Sequence, residues 1–128
     1  MKKDFRTELG KVRGHGSAHE GTEHFWLQRL TGLVNLPLLI FFIVLILSLV
    51  GKDYSIVRAR LAHPVVAILM GLMTFSVLYH MKLGMQVVIE DYIPREGFRI
   101  FFLTLNISFC FLIGGVIIFS LFKIALGG

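Results

Sequence analysis

Three long stretches without a charged side chain dominate this sequence: Leu30 to Gly51, Leu61 to Met81 and Ile100 to Phe122. Crossing a bilayer core takes ~20 helical residues, and each stretch meets that length. Each is also bracketed by Lys or Arg. Three buried helices of a water-soluble bundle would still carry a polar face at helical period. Leu38–Val50 and Phe109–Leu121 show none. Soluble domains are also closer to 45–50% apolar, and 55% here leaves an excess that the three runs absorb. The pattern predicts an all-α membrane protein with three transmembrane helices, at about 29–51, 62–92 and 98–124, behind a polar arm at 1–28. The first run follows that arm, so it does not read as a cleaved signal peptide, which has a short basic start.

The 13 Lys and Arg fall unevenly about these helices. Lys2, Lys3, Arg6, Lys11, Arg13 and Arg29 precede or open the first, and Lys82, Arg95 and Arg99 lie around the second connection. The opposite side has Lys52, Arg58, Arg60 and Lys123. Positive residues are retained on the cytoplasmic side, which predicts a cytoplasmic N-terminus and an external C-terminus. The net charge of +5 follows from this asymmetry. It calls for no nucleic-acid partner, which would want a basic stripe on a soluble face.

Local signals mark the helix ends. Trp26 sits where the chain enters the membrane, as interfacial tryptophans do. Ser17 to Glu20 fits a helix-start capping box. Pro37 is expected to kink the first membrane helix. His63-Pro64 opens the second, and Pro94 with Gly97 separates it from the third. Apolar residues continue past Lys82 to Ile89, so a helix from Pro64 to Ile89 would be ~39 Å long. That exceeds the hydrocarbon thickness and predicts a tilt or a projection beyond it.

The continuation places His80 and Lys82 in the membrane zone. Ionisable groups there usually face the bundle interior and mark a cofactor, an ion path or a partner. His80 reads either as a haem-iron ligand or as a histidine bonded to another helix. Gly84, one turn on, leaves room for a flat macrocycle or for a close helix. Asp91 and Tyr92 follow ~17–18 Å along the axis. They read either as a carboxylate–phenol pair for a carbonyl ligand and its protons, or as a helix-end acid beside an interfacial tyrosine. Arg29 and Lys82 are snorkelling anchors or partners for an anionic group. His15, His19 and His24 read as surface histidines without metal-ligand spacing. Cys110 reads as a small packing residue that cannot build a metal cluster alone. The carboxylates flank the helices and do not line their centres, against a small transporter. There is no phosphate loop and no nucleophile–base pair. A single haem-ligand candidate on three helices suggests a subunit and not a complete enzyme.

Gly10-Lys11-Val12-Arg13-Gly14, Gly16-Ser17-Ala18-His19-Glu20-Gly21-Thr22 and His24-Phe25-Trp26-Leu27-Gln28-Arg29-Leu30-Thr31-Gly32 resemble the opening of the hydrophobic membrane-anchor subunits of succinate dehydrogenase, the D subunits of complex II. His80, Gly84, Met85, Gln86, Val87, Asp91 and Tyr92 resemble the second-helix pattern of the same family, with the glutamine displaced by one position. The resemblance covers nearly the whole chain. It implies three helices packed against three more from a second anchor subunit, C, in the bacterial inner membrane. It implies iron–sulfur and flavoprotein subunits docked on the cytoplasmic face. His80 would be an axial ligand of haem b, shared with a histidine of the C subunit. Arg29 would lie near the haem propionates, and Tyr92 and Asp91 would form part of the site for ubiquinone, the substrate. The chain would then be enzymatic only as a subunit of the quinone-reducing complex. Lys82 departs from the resemblance, because related sequences are commonly apolar or aromatic there. A fumarate reductase-type anchor and a cofactor-free structural membrane subunit are the alternatives.

Overall fold

The computed structural model describes Phe5, Thr7 to Arg13, and His19 to Gly128. Ser17 of the Ser17–Glu20 capping box, His15 and the other motif residues at 14–18 lie outside the described residues. Five helices follow in order: α1 (Glu8–Arg13), α2 (His19–Leu49), α3 (Tyr54–Ala62), α4 (Pro64–Tyr92) and α5 (Glu96–Ala125). Among the described residues, α2 (from Gly21), α4 and α5 are long and apolar enough to cross a membrane. The three expected membrane helices are therefore present.

Their boundaries differ informatively from the expectation. α2 starts at His19, well before Arg29, so part of the segment read as a polar arm is helical. The helix runs on through Pro37. The proline removes one backbone donor, but the surrounding run of Leu, Ile and Phe keeps the helix going in a medium that offers the backbone no other partner. α2 stops where Gly51 adopts a positive φ of 73°, a conformation that a residue without Cβ enters at no steric cost. The charged stretch after it, left outside the three expected helices, contains the short helix α3. The step from α3 to α4 is sharp. His63 caps α4 by accepting from the Val65 N–H at 3.3 Å, and Pro64 takes the first helical position, where a missing donor costs nothing.

α4 is the middle helix, packing on one side against α2 and on another against α5, with α3 against α4 and α5. α2 and α4 run antiparallel, with Gly32 beside His80, Gln28 beside Gly84 and Asn35 beside Ser76. The α4–α5 pair is likewise antiparallel: Gly114 faces Leu78, and Asn106 faces Lys82. The 29 residues of α4 make a helix about 44 Å long. That exceeds a ~30 Å hydrocarbon core, in line with the sequence.

The distribution of side chains departs from that of a water-soluble protein, although Leu38, Leu45, Leu83 and Ile89 are buried. Thr74, Ser76 and Asn106 are buried between helices, while Phe111 is 79% exposed and Phe119 70% exposed. Apolar side chains facing hydrocarbon cost nothing, whereas polar groups there need partners within the bundle. The buried polar residues have them. Ser76 donates to Asn35 Oδ1 at 2.6 Å, Thr74 to the Met70 carbonyl at 2.8 Å, and Asn106 to the Lys82 carbonyl at 3.0 Å.

Candidate functional site

His80 lies half-buried where α2 and α4 meet. Its place follows from helical spacing. Ser76, His80 and Gly84 recur every four residues and share one face of α4, while Gln28, Thr31 and Asn35 share one face of α2. Brought together antiparallel, the two faces make a polar seam inside an otherwise apolar pair.

The imidazole is held through Nδ1. The Gln28 main-chain carbonyl lies 3.1 Å from that atom and Thr31 Oγ1 lies 3.0 Å from it. A carbonyl oxygen only accepts, so the contact with Gln28 is a hydrogen bond in which Nδ1–H donates. In a neutral ring that fixes the tautomer and leaves the lone pair on Nε2, which bonds to no group among the described residues. One side of the ring abuts backbone: a Cβ placed on Gly32 would come within 3.3 Å of His80 Cε1. A Cβ on Gly84 would meet Gln28 Nε2 at 3.2 Å, so the glycine leaves room here for a side chain of α2.

Two other atoms on the α2 face are buried without a partner among the described residues, His24 Nε2 and Gln28 Oε1. His24, expected at the surface, is half-buried. The reason is the early start of α2, which puts His24 one turn before Gln28 on the same face and turns it to the same side.

The remaining site residues lie apart from His80. Arg29 is exposed, its guanidinium over the Phe25 ring at 4.4 Å, so it stacks on its own helix. Lys82 points away from the α2 seam. Its Nζ lies 5.5 Å from the Tyr79 ring centroid, beside a groove of about 410 Å³ between α4 and α5 that Leu78, Cys110 and Gly114 also line. Asp91 and Tyr92 are the last residues of α4, and Tyr92 is 80% exposed. They stand ~17–18 Å from His80 along the helix, so the single chain does not bring the two sets together.

Gln28 and Thr31, which hold the histidine, were not legible as site residues in the sequence. The available signal was their position in the polar face of α2, at i and i+3. Which α4 residue that face would meet depends on the helix register. The His80 arrangement has the chemistry of a ligating histidine: one nitrogen bonded to fix the ring, the other carrying a lone pair. Among the described residues no group of three or more His, Cys, Asp or Glu could hold a bare metal ion. A planar macrocycle that supplies its own equatorial nitrogens needs only an axial ligand from protein, and His80 fits that demand.

Comparison with known proteins gives a consistent result. Residues 3–122 match the family model described as succinate dehydrogenase/fumarate reductase transmembrane subunit. A protein of Rickettsia bellii is 38% identical over 99 residues, covering 77% of this chain and 79% of that one. One from Rickettsia conorii is 33% identical over 108 residues, covering 84% and 86%. One from Paracoccus denitrificans is 25% identical over 116 residues, covering 91% and 89%. All three bear the name succinate dehydrogenase hydrophobic membrane anchor subunit.

Proposed function

The chain belongs to the succinate dehydrogenase/fumarate reductase transmembrane subunit family, as a multi-pass membrane anchor subunit of the succinate dehydrogenase kind, and from that premise we propose that it helps bind haem b through His80 and contributes to a ubiquinone-reduction site at the end of α4. The observation that carries the reading is the Gln28 carbonyl on His80 Nδ1, because it reserves Nε2 for iron. Bound there, haem b supplies a one-electron redox centre within the membrane. A second ligand, if the iron takes one, would come from another anchor subunit, as the resemblance of the motifs implies.

Tyr92 and Asp91 act at the quinone. The exposed Tyr92 phenol donates a hydrogen bond to a quinone carbonyl, and Asp91 tunes or relays a proton that accompanies reduction. Arg29 would hold an anionic propionate, a role suited to a guanidinium. Lys and Arg concentrate at the end of the bundle that carries Arg29, Asp91, Tyr92 and Arg95. This supports a cytoplasmic position for that end, where an iron–sulfur subunit and a flavoprotein subunit dock. Succinate oxidation takes place in the flavoprotein, and this chain receives electrons without touching the dicarboxylate. The named relatives favour succinate oxidation over fumarate reduction as the physiological direction.

The test is the reduced-minus-oxidised visible spectrum of the complex purified through a tag on this chain, for wild type and His80→Ala. A haem b signal that is lost or altered in the variant is the expected result. An identical signal in both would place the ligand elsewhere.

A further inference from the structure

Among the described residues, Thr31 is the one side chain that bonds to the His80 ring. Resting on the reading of His80 as a haem ligand, we propose that Thr31 is a positioning residue that sets the ring orientation and the electron-donating strength of that ligand.

The case begins with the hydroxyl proton. Thr31 Oγ1 lies 2.7 Å from the Leu27 carbonyl and 3.1 Å from the Gln28 carbonyl. A hydroxyl has one proton to give, and both of these neighbours only accept. The proton is therefore committed along α2, one turn back. What Oγ1 presents to His80 at 3.0 Å is a lone pair, so here too Nδ1–H donates. The same proton is shared between Thr31 Oγ1 and the Gln28 carbonyl, and the two acceptors agree on the tautomer.

The oxygen is also fixed in space. A β-branched threonine in a helix has restricted χ1, and the bond to the carbonyl four residues back selects one rotamer. Gly32, the next residue, lets the ring edge lie against the α2 backbone. Thr31 Oγ1 and the Gln28 carbonyl both sit on Nδ1 and together aim the N–H bond, while the missing Cβ of Gly32 leaves the space beside Cε1 that the ring edge needs.

Orientation and donor strength both matter at iron. An acceptor on the distal N–H raises the basicity of the ligating nitrogen. A more basic nitrogen favours the ferric over the ferrous state and lowers the potential. The Gln28 contribution is main-chain and survives any substitution, whereas the Thr31 contribution is carried by the side chain and can be removed.

The experiment uses the whole complex, purified through a tag on this chain, with Thr31→Val, Thr31→Ser and His80→Ala compared with wild type. The readouts are the haem midpoint potential and the electron paramagnetic resonance g-values of the ferric haem. The expected result is a potential shifted upward and altered g-values in Thr31→Val, with Thr31→Ser at the wild-type values. A merely structural interhelical contact would move neither readout. If Thr31→Val does not assemble, Thr31→Ala removes the same acceptor with less bulk and carries the measurement. Unchanged potential and g-values, with the haem signal lost in His80→Ala, would overturn the role of Thr31 and leave the ligand reading standing. An unaltered haem signal in His80→Ala would overturn both.

Discussion

Asn106 reaches from α5 to donate its side-chain amide to the main-chain carbonyl of Lys82 at 3.0 Å. The acceptor is two residues beyond His80 on the middle helix, so this bond ties the peripheral helix to the turn that carries the candidate ligand. Interhelical hydrogen bonds within membranes average ~0.6 kcal/mol and reach about 1.7. Asn106→Leu should destabilise the purified complex by about that range, read as a lower thermal midpoint in detergent. The haem spectrum should stay close to wild type, because His80 is held from the α2 side. A stability equal to wild type would mean that the bond contributes nothing net.

Gly32 leaves the His80 ring little room to retreat. A Cβ there would approach Cε1 to 3.3 Å, so Gly32→Ala calls for a displacement of a few tenths of an ångström, while Gly32→Val adds branching that the seam has no space for. Overpacking a close contact of this kind typically costs 1–3 kcal/mol. The expected outcome is graded loss of haem per complex, small for alanine and large for valine, measured as haem absorbance against flavin content. Full haem content in Gly32→Val would show that the seam opens more readily than its geometry implies.

Tyr92 stands at the exposed end of α4, far along the helix from His80. Tyr92→Phe deletes one phenolic hydroxyl and leaves the helix and ring in place. A neutral hydrogen bond contributes ~0.5–1.5 kcal/mol, so quinone reductase turnover should fall by up to roughly tenfold, while haem absorbance and succinate oxidation with an artificial acceptor stay intact. Unchanged quinone kinetics would remove Tyr92 from the site.

Orientation has its own measurement. With Cys110 replaced by Ser, a single cysteine at Asp53 is expected to react with a membrane-impermeant maleimide added to the outside of cells. A cysteine at Glu96 should stay unlabelled until the membrane is opened. The reverse pattern would contradict the charge asymmetry on which the orientation rests.

Most of the fold was legible because length and hydrophobicity act locally. A charge-free run of the length of Ile100 to Phe122 has few fates other than a membrane helix. Pro64 and the Pro94–Gly97 turn were readable for the same reason, since both act through their own backbones. α3 was not, because a nine-residue segment carrying Arg58 and Arg60 lacks the long apolar run that marks the other helices. The early start of α2 was hidden as well, in a stretch whose glycines and histidines speak for an arm. His80 could be singled out as an ionisable group at depth. Its partners Gln28 and Thr31 could not, because they depend on the register between helices distant in sequence. Asn35, Ser76 and Asn106 did leave a signal, as polar residues inside apolar runs, yet which of them would meet which was beyond a one-dimensional pattern.

The side chains that this chain buries by itself are few, and three of them are polar Thr74, Ser76 and Asn106. Its phenylalanines and leucines lie mostly on the outside. Such a molecule has an unfinished interior: the surfaces that complete it belong to lipid and to neighbouring subunits. Its outside is therefore matched to a medium that offers no hydrogen bonds, and lipid or detergent must cover it wherever it is handled.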